Sequence, residues 1–208
     1  VSKKNMEFLL KKASSLMDIY RKERRNKLNI FLDEDMHKEG HRRRVLAAPS
    51  LGTMSEQLLE KILKRNAICG NERKIVLECY TKQKERLEMI LSHSTVEDEI
   101  SEIISEEYEK YPLVLSLAEC FLEKDIQLSY DEYLSGIREA EAYAENHKNY
   151  TVHVTQMKGF RNIQITCFEG KWCMVSKNRA PAIHFVIHHP KLRYALENMT
   201  LPIQDGKM

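Results

Sequence analysis

The stretch FRNIQITCFEGKWCMVSK, residues 160–177, decides the fold class of this 208-residue chain. Two short runs rich in β-branched and aromatic residues flank Glu169-Gly170-Lys171, and such a tripeptide is typical of a tight turn. The pattern therefore predicts two antiparallel strands that are joined as a β-hairpin.

Similar runs flank this hairpin, YTVHVTQM at 150–157 and PAIHFVIH at 181–188. Their partial alternation predicts two more strands. In the second run, Ile183, Phe185 and Ile187 alternate onto one side, which we expect to face the core. Pro190 suits the first turn of a helix, so a terminal helix is predicted to follow.

Residues 1–145 are predicted to be helical. Apolar residues recur every three or four positions from Met6 to Tyr20, which predicts one long helix over roughly residues 3–32. A second helix is predicted from Asp33 to about Pro49. Ser/Thr-x-x-Glu patterns predict capped helix starts further along the chain, at Thr53, Ser94 and Ser129.

The predicted fold class is therefore α+β, with a mostly α-helical N-terminal two-thirds followed by a small antiparallel sheet with a terminal helix. We expect two domains. Residues 1–145 would form a helical domain for dimerisation or partner contact, and residues 146–208 a small α+β domain for ligand sensing. This order of elements is similar to that of bacterial regulators with a sensing domain, a resemblance of fold alone.

Composition narrows the class of protein. Hydrophobic residues make up 42% of the chain and charged residues 31%, as in folded proteins. No run of about 18 apolar residues occurs, so no membrane span is predicted. Five scattered cysteines favour a reducing, cytoplasmic compartment over a disulfide framework. The first residues lack the apolar core of a signal peptide, and we expect Val1 to be a processed start or a boundary within a longer chain.

Charge is segregated along the chain. Residues 1–48 contain 13 Lys/Arg against 7 Asp/Glu, residues 94–145 contain 3 against 15, and residues 146–208 contain 9 against 3. Either these segments neutralise each other in the fold, or the basic ends face an anion such as nucleic acid or a phosphorylated ligand.

A zinc site is one alternative for the cysteines and histidines of the C-terminal part. Cys167, Cys173, His184 and His188 follow a C-x5-C-x10-H-x3-H order. However, four residues along a strand span about 13 Å, whereas each zinc ligand must lie about 2 Å from the ion. We therefore expect no metal and no cofactor, and the cysteines are interpreted as core residues.

Two sets of basic residues are candidates for binding sites. An anionic small molecule is expected to bind where the last predicted strand meets the terminal helix, since a helix N-terminus favours negative charge. The alternative is a solvated polar edge with ordinary surface histidines. Nucleic acid or a protein partner is expected to contact the arginines of the first two predicted helices. For the arginines of the second predicted helix, the acidic segment 94–109 is an alternative partner. The anion set is Lys177, Arg179, His184, His188, His189 and Lys191; the second set is Arg24, Arg25, Arg42, Arg43 and Arg44.

No catalytic motif is present in the sequence, so an enzyme is not expected. The favoured function is a cytoplasmic regulatory protein, a homodimeric transcription regulator or its effector and dimerisation part. A DNA-binding domain could precede Val1 in a longer parent chain. The alternatives are a helical adaptor or inhibitor that acts through protein–protein contacts and, less favoured, a small-molecule enzyme that uses the histidines as acid or base.

Overall fold

The computed structural model describes most of the chain, namely residues 2–92, 100–105, 114–115, 118–122, 124–155, 163–177 and 179–204. Its elements are α1 (Lys3–Glu34), β1 (Arg42–Leu46), α2 (Glu56–Arg65), α3 (Gly70–Ser92), β2 (Ile100–Ser105), β3 (Val114–Leu115), a 3-10 turn (Ala118–Cys120), β4 (Ile126–Gln127), α4 (Tyr130–Asn146), β5 (Tyr150–Thr155), β6 (Ile163–Phe168), β7 (Trp172–Lys177), β8 (Ile183–Ile187) and α5 (Pro190–Gln204). The α+β class is confirmed.

The chain divides into two compact units, Val1–Met36 and His37–Met208. The first unit is essentially α1, a helix that begins where the Ser2 hydroxyl accepts a hydrogen bond from the Asn5 backbone N–H. This helix agrees with the one predicted over residues 3–32. The observed division lies at Met36 and not at residue 145.

The second unit is built around a six-stranded mixed sheet with the order β5-β2-β1-β6-β7-β8. Strands β5, β2 and β1 are parallel, and β6, β7 and β8 continue the sheet in antiparallel pairs. Strands from both sides of residue 145 therefore pair in one sheet, which explains why no division occurs there. The predicted hairpin is confirmed as β6 and β7, with Gly170 at φ +73° in the turn.

Two helices predicted from the sequence are wrong. Residues 42–46 form the strand β1 between β2 and β6, and residues 100–105 form the strand β2. Both segments are short, so long-range pairing decides between helix and strand.

Of the three helix caps predicted from the sequence, one is confirmed. Ser129 and Glu132 form the predicted capping box at the start of α4. The cap of α2 is Ser55, which accepts a hydrogen bond from the Leu58 N–H, and not Thr53. The prediction at Ser94 lies outside the described residues.

The two faces of the sheet are covered differently. The helical face carries Ile104 and packs against the apolar sides of α2, α3 and α4. The opposite face, called the α5 face here, carries a smaller cluster packed against Leu196 of α5. The buried members of the smaller cluster are Val45, Ile103, Ile165, Cys167 and Cys173.

The apolar side of β8 is not in the core as predicted. The side chains of Ile183 and Phe185 are 40% and 61% exposed. In the described part of the chain β8 pairs with β7 at one end of the sheet, and α5 contacts β2, β6 and β7. The strand therefore extends beyond the surface that α5 covers.

Candidate functional site

A buried polar cluster lies on the helical face of the sheet, where an apolar layer would be expected. Arg44 and Glu102 occupy adjacent positions in β1 and β2. The Arg44 Nη1 donates to Glu102 Oε1 at 3.0 Å, and the Glu102 side chain is only 1% exposed. A fully buried carboxylate is rare unless it is paired, so this ion pair is a specific feature of the sheet.

Tyr150 brings a phenol to the same cluster from the start of β5. Its side chain packs with Leu87 and Ile100, and the residue is 1% exposed. Burial, followed by the negative charge of the Glu102 carboxylate, raises the pKa of the Tyr150 phenol above its ordinary value of 10.0. Tyr150 therefore stays protonated.

The loop that follows β1 supplies the hydroxyl groups of Ser50 and Thr53, both buried. Thr53 lies beside the Tyr150 hydroxyl, and its own hydroxyl lies 3.5 Å from the Ser50 carbonyl oxygen. We call Ser50, Thr53, Glu102 and Tyr150, together with Arg44, the Arg44–Tyr150 cluster.

Close packing holds this loop in place. A Cβ atom on Gly136 of α4 would lie only 2.9 Å from Pro49, so glycine lets the helix approach the loop. From α3, the Tyr80 hydroxyl donates to the Met54 carbonyl at 3.0 Å. Both ends of the loop are therefore anchored before any ligand is bound.

Three atoms of the cluster lack a hydrogen-bond partner among the described residues. They are Ser50 Oγ, Glu102 Oε2 and Tyr150 Oη, and all three are buried. Native proteins leave few buried polar atoms unsatisfied, because each costs about 1–3 kcal/mol. The cluster therefore holds one carboxylate oxygen and two hydroxyl groups that have no hydrogen-bond partner among the described residues.

Tyr150→Phe is expected to leave the free energy of unfolding of the ligand-free protein unchanged, or to raise it by about 1 kcal/mol. The reason is that this change removes a buried hydroxyl that has no partner in the described structure. Urea denaturation of both chains measures the difference. A loss above about 1 kcal/mol would mean that the hydroxyl is already satisfied within the protein, and would count against a ligand-binding role for it.

The anion site predicted from the sequence divides into two groups in the structure. Lys177 pairs with Ile183 at the start of β8, and His184 Nδ1 lies 2.8 Å from the Ser176 hydroxyl. Arg179, near this end, is paired with Asp125 at 3.2 Å. The second group, at the start of α5, is exposed and contains His188, His189 and Lys191. The length of β8, about 13 Å between these ends, keeps the six residues from forming one site.

The arginines predicted to contact nucleic acid also differ in their surroundings. Arg43 is buried and donates to Thr200 Oγ1 at 3.3 Å, whereas Arg44 is held in its ion pair. Arg42 donates to the Lys38 carbonyl at 2.6 Å and lies over the Phe168 ring. The arginine triplet therefore belongs to a central strand of the sheet. Arg24 of α1 is exposed and Arg25 is half-buried.

The zinc alternative does not fit the sheet. Cys167 and Cys173 lie on the α5 face, whereas His184 bonds to Ser176 and contacts the Phe121 ring on the helical face. Cysteines and histidine thus project from opposite sides of one sheet. Among the described residues, no group of three or more His, Cys, Asp or Glu side chains is arranged to hold a metal ion.

The sequence reasoning missed the Arg44–Tyr150 cluster because its members come from three segments that are far apart in the chain, namely residues 44–53, Glu102 and Tyr150. The one signal available is Glu102 inside the apolar run ISEIIS, since a lone carboxylate in a buried strand requires a partner. Comparison with protein families, with curated proteins and with solved structures finds no match to this chain. No described helix is both long enough and apolar enough to cross a membrane.

Proposed function

We propose that this chain is the dimerising effector part of a cytoplasmic regulatory protein. In this proposal, α1 pairs with α1 of a second copy, and the unit of residues 37–208 binds a small polar ligand at the Arg44–Tyr150 cluster. The observation that carries it is the uncovered apolar side of α1.

The apolar stripe of α1 follows the three-and-four spacing of a helix–helix interface. Large side chains along it are well exposed in the single chain, with 57% for Leu9, 65% for Leu16 and 50% for Tyr20. The helix has 32 residues, about 48 Å at 1.5 Å per residue, which is long enough for a two-helix interface. Exposed apolar surface of this extent is typical of a protein contact.

The charges on α1 favour an antiparallel pair of copies. Arg24 and Lys27 continue the same side of the helix beyond Tyr20. In a parallel pair each would face its own copy, with repulsion between like charges. In an antiparallel pair that crosses at Ala13, these residues extend past the start of the partner helix. Opposed helix dipoles add to this preference.

Introducing charge into the stripe should dissociate the dimer. For Leu9→Glu with Leu16→Glu, we expect a dimer dissociation constant at least tenfold above that of the unmodified chain, since each carboxylate would have to be buried at the interface. Analytical ultracentrifugation over a concentration series measures it. The control is Ser15→Glu with Asn26→Glu, which adds the same charge to exposed positions on the other side of α1. A monomeric unmodified chain, or equal effects in both variants, would refute the proposal.

Cross-linking tests the orientation of the helices. With Cys69 changed to serine because it is exposed, chains that carry Met6→Cys are mixed with chains that carry Tyr20→Cys. An antiparallel pair gives the mixed disulfide, whereas a parallel pair gives each chain linked to its own kind.

Transcription regulation is the specific form of this function that we propose, and it is supported by the basic part of α1 around Arg24 and Arg25. Phosphate contacts weaken as salt rises because bound counterions are released. A DNA mobility-shift assay at two salt concentrations tests this point. Without binding at low salt, α1 would serve dimerisation alone.

A further inference from the structure

Cys167 and Cys173 lie directly opposite each other across the β6–β7 hairpin. The Cys173 thiol donates to Cys167 Sγ at 2.6 Å, and both residues are buried on the α5 face. Two free thiols at paired cross-strand positions have the proximity that a disulfide requires. The pair is separate from the Arg44–Tyr150 cluster, which lies on the other face of the sheet.

Helix α5 covers this pair of thiols. The Cys173 thiol can also donate to the Arg193 carbonyl oxygen, at 3.8 Å. Further along the helix, the Glu197 carboxylate accepts a hydrogen bond from the Gly170 N–H at 2.9 Å. Access to either sulfur therefore depends on how firmly α5 is held.

The contacts of α5 with the sheet are mostly polar. Leu196 is the side chain of the described part of α5 that joins the apolar cluster around the thiols. Two larger apolar side chains of α5 lie outside this cluster: Leu192 is 58% exposed and Tyr194 is 66% exposed. Elements with few buried apolar contacts open most easily in local fluctuations. Such opening gives a small oxidant access to the sulfurs.

We propose that Cys167 and Cys173 form an oxidation site, in which hydrogen peroxide converts the two thiols into a cross-strand disulfide under α5. In the first step the Cys167 thiolate attacks the peroxide, an S–O bond forms, the O–O bond breaks and hydroxide leaves as water after taking up a proton. The Cys173 sulfur then attacks the sulfenic acid, the S–S bond forms and the S–O bond breaks, which releases the second water. Two thiols are oxidised by two electrons, and hydrogen peroxide is reduced to two waters.

The surroundings assign the attacking role to Cys167. The hydrogen bond from the Cys173 thiol lowers the pKa of Cys167, with a further contribution from the charge of Arg43. The same hydrogen bond raises the pKa of Cys173, as burial does. The thiolate, which is the nucleophile, therefore forms first at Cys167.

Oxidation also affects α5. The disulfide removes the S–H donor that Cys173 offers to the Arg193 carbonyl. We expect faster hydrogen exchange in the first turns of α5 after oxidation, next to the exposed His188 and His189.

The test uses the full chain with Cys69→Ser, so that four of the five cysteines remain. After treatment with hydrogen peroxide, the count of free thiols in denaturant should fall from four to two. The mass should decrease by two hydrogens, and peptide mapping should place the bond between residues 167 and 173. The proposal would be overturned if the thiol count did not change at peroxide concentrations that oxidise the exposed Cys69 of the unmodified chain. A disulfide between other cysteines would also overturn it.

Single variants test the order of the steps. Cys173→Ser should accumulate a sulfenic acid at Cys167 that dimedone traps, whereas Cys167→Ser should not accumulate one at Cys173. Cys79→Ser, which removes a different buried thiol, should form the disulfide as the parent does. Trapping at Cys173 in place of Cys167 would reverse the assignment of roles. If a variant does not fold, the mapped bond in the parent chain alone decides whether the site exists.

Discussion

Replacing Glu102 with alanine is expected to lower the free energy of unfolding by about 3–5 kcal/mol. The change leaves the Arg44 guanidinium, whose side chain is 21% exposed, without its carboxylate partner inside the sheet. The loss is costly because water reaches only part of the Arg44 side chain and replaces the carboxylate incompletely. Urea denaturation with linear extrapolation measures the loss.

A double variant distinguishes the effect of the paired charges from the effect of the volume that the two side chains fill. Arg44→Met with Glu102→Leu removes both charges and keeps similar volumes, so it should be clearly less destabilising than Glu102→Ala alone. The pair would be solvated, and not part of a closed site, if the losses for Arg44→Met and Glu102→Leu measured singly add up to the loss for the double variant. A loss below about 1 kcal/mol for Glu102→Ala would mean the same.

The second large effect is expected at the start of α4. Glu132 is fully buried, and its carboxylate accepts from Arg65 Nη2 at 2.8 Å and from the Ser129 N–H at 2.8 Å. Glu132→Ala removes both the capping box and the ion pair, so we expect a loss of about 2–4 kcal/mol. The exposed Glu141 on the same helix is the matched control, and its alanine variant should stay within about 0.5 kcal/mol.

Glu132 also predicts how stability depends on pH. Burial opposes its ionisation, but hydrogen bonds from Arg65 and Ser129 outweigh burial and lower the pKa of Glu132 below its ordinary value of 4.5. A carboxyl whose pKa is depressed by folding stabilises the protein above its unfolded pKa, and this stability disappears as the pH falls through the folded pKa. The gap in unfolding free energy between the unmodified chain and Glu132→Gln should therefore narrow on acidification below about pH 4.3. A gap that does not change with pH would contradict the assigned charge.

Local signals in the sequence were sufficient for some elements. The spacing of apolar residues predicted α1, and the turn residues around Gly170 predicted the hairpin of β6 and β7. The box formed by Ser129 and Glu132 predicted the start of α4. Each of these depends on contacts between residues close in the chain, which a pattern of a few residues can represent.

The central strands could not be predicted in this way. β1 contains three arginines in five residues, a composition that does not favour a strand. It is held there by backbone pairing with β2 and β6 and by the burial of Val45 and Leu46, and Arg44 finds its partner Glu102 only 58 positions away. The candidate site has the same origin, because Ser50, Glu102 and Tyr150 meet only when distant segments pair. The antiparallel register also placed the two cysteines opposite each other, whereas the sequence indicated only that both were core residues.

The position of β1 at the centre of the sheet has a consequence for synthesis of the chain. Arg43 finds its hydrogen-bond partner Thr200 only 157 positions later. At about 5–20 residues per second, a ribosome needs roughly 10–30 s to cover that distance. During this interval β1 has emerged without the helix that later covers it, and an unpaired strand is a template for aggregation. Three adjacent positive charges repel other copies of the same nascent strand, so Arg42, Arg43 and Arg44 protect the segment before folding completes.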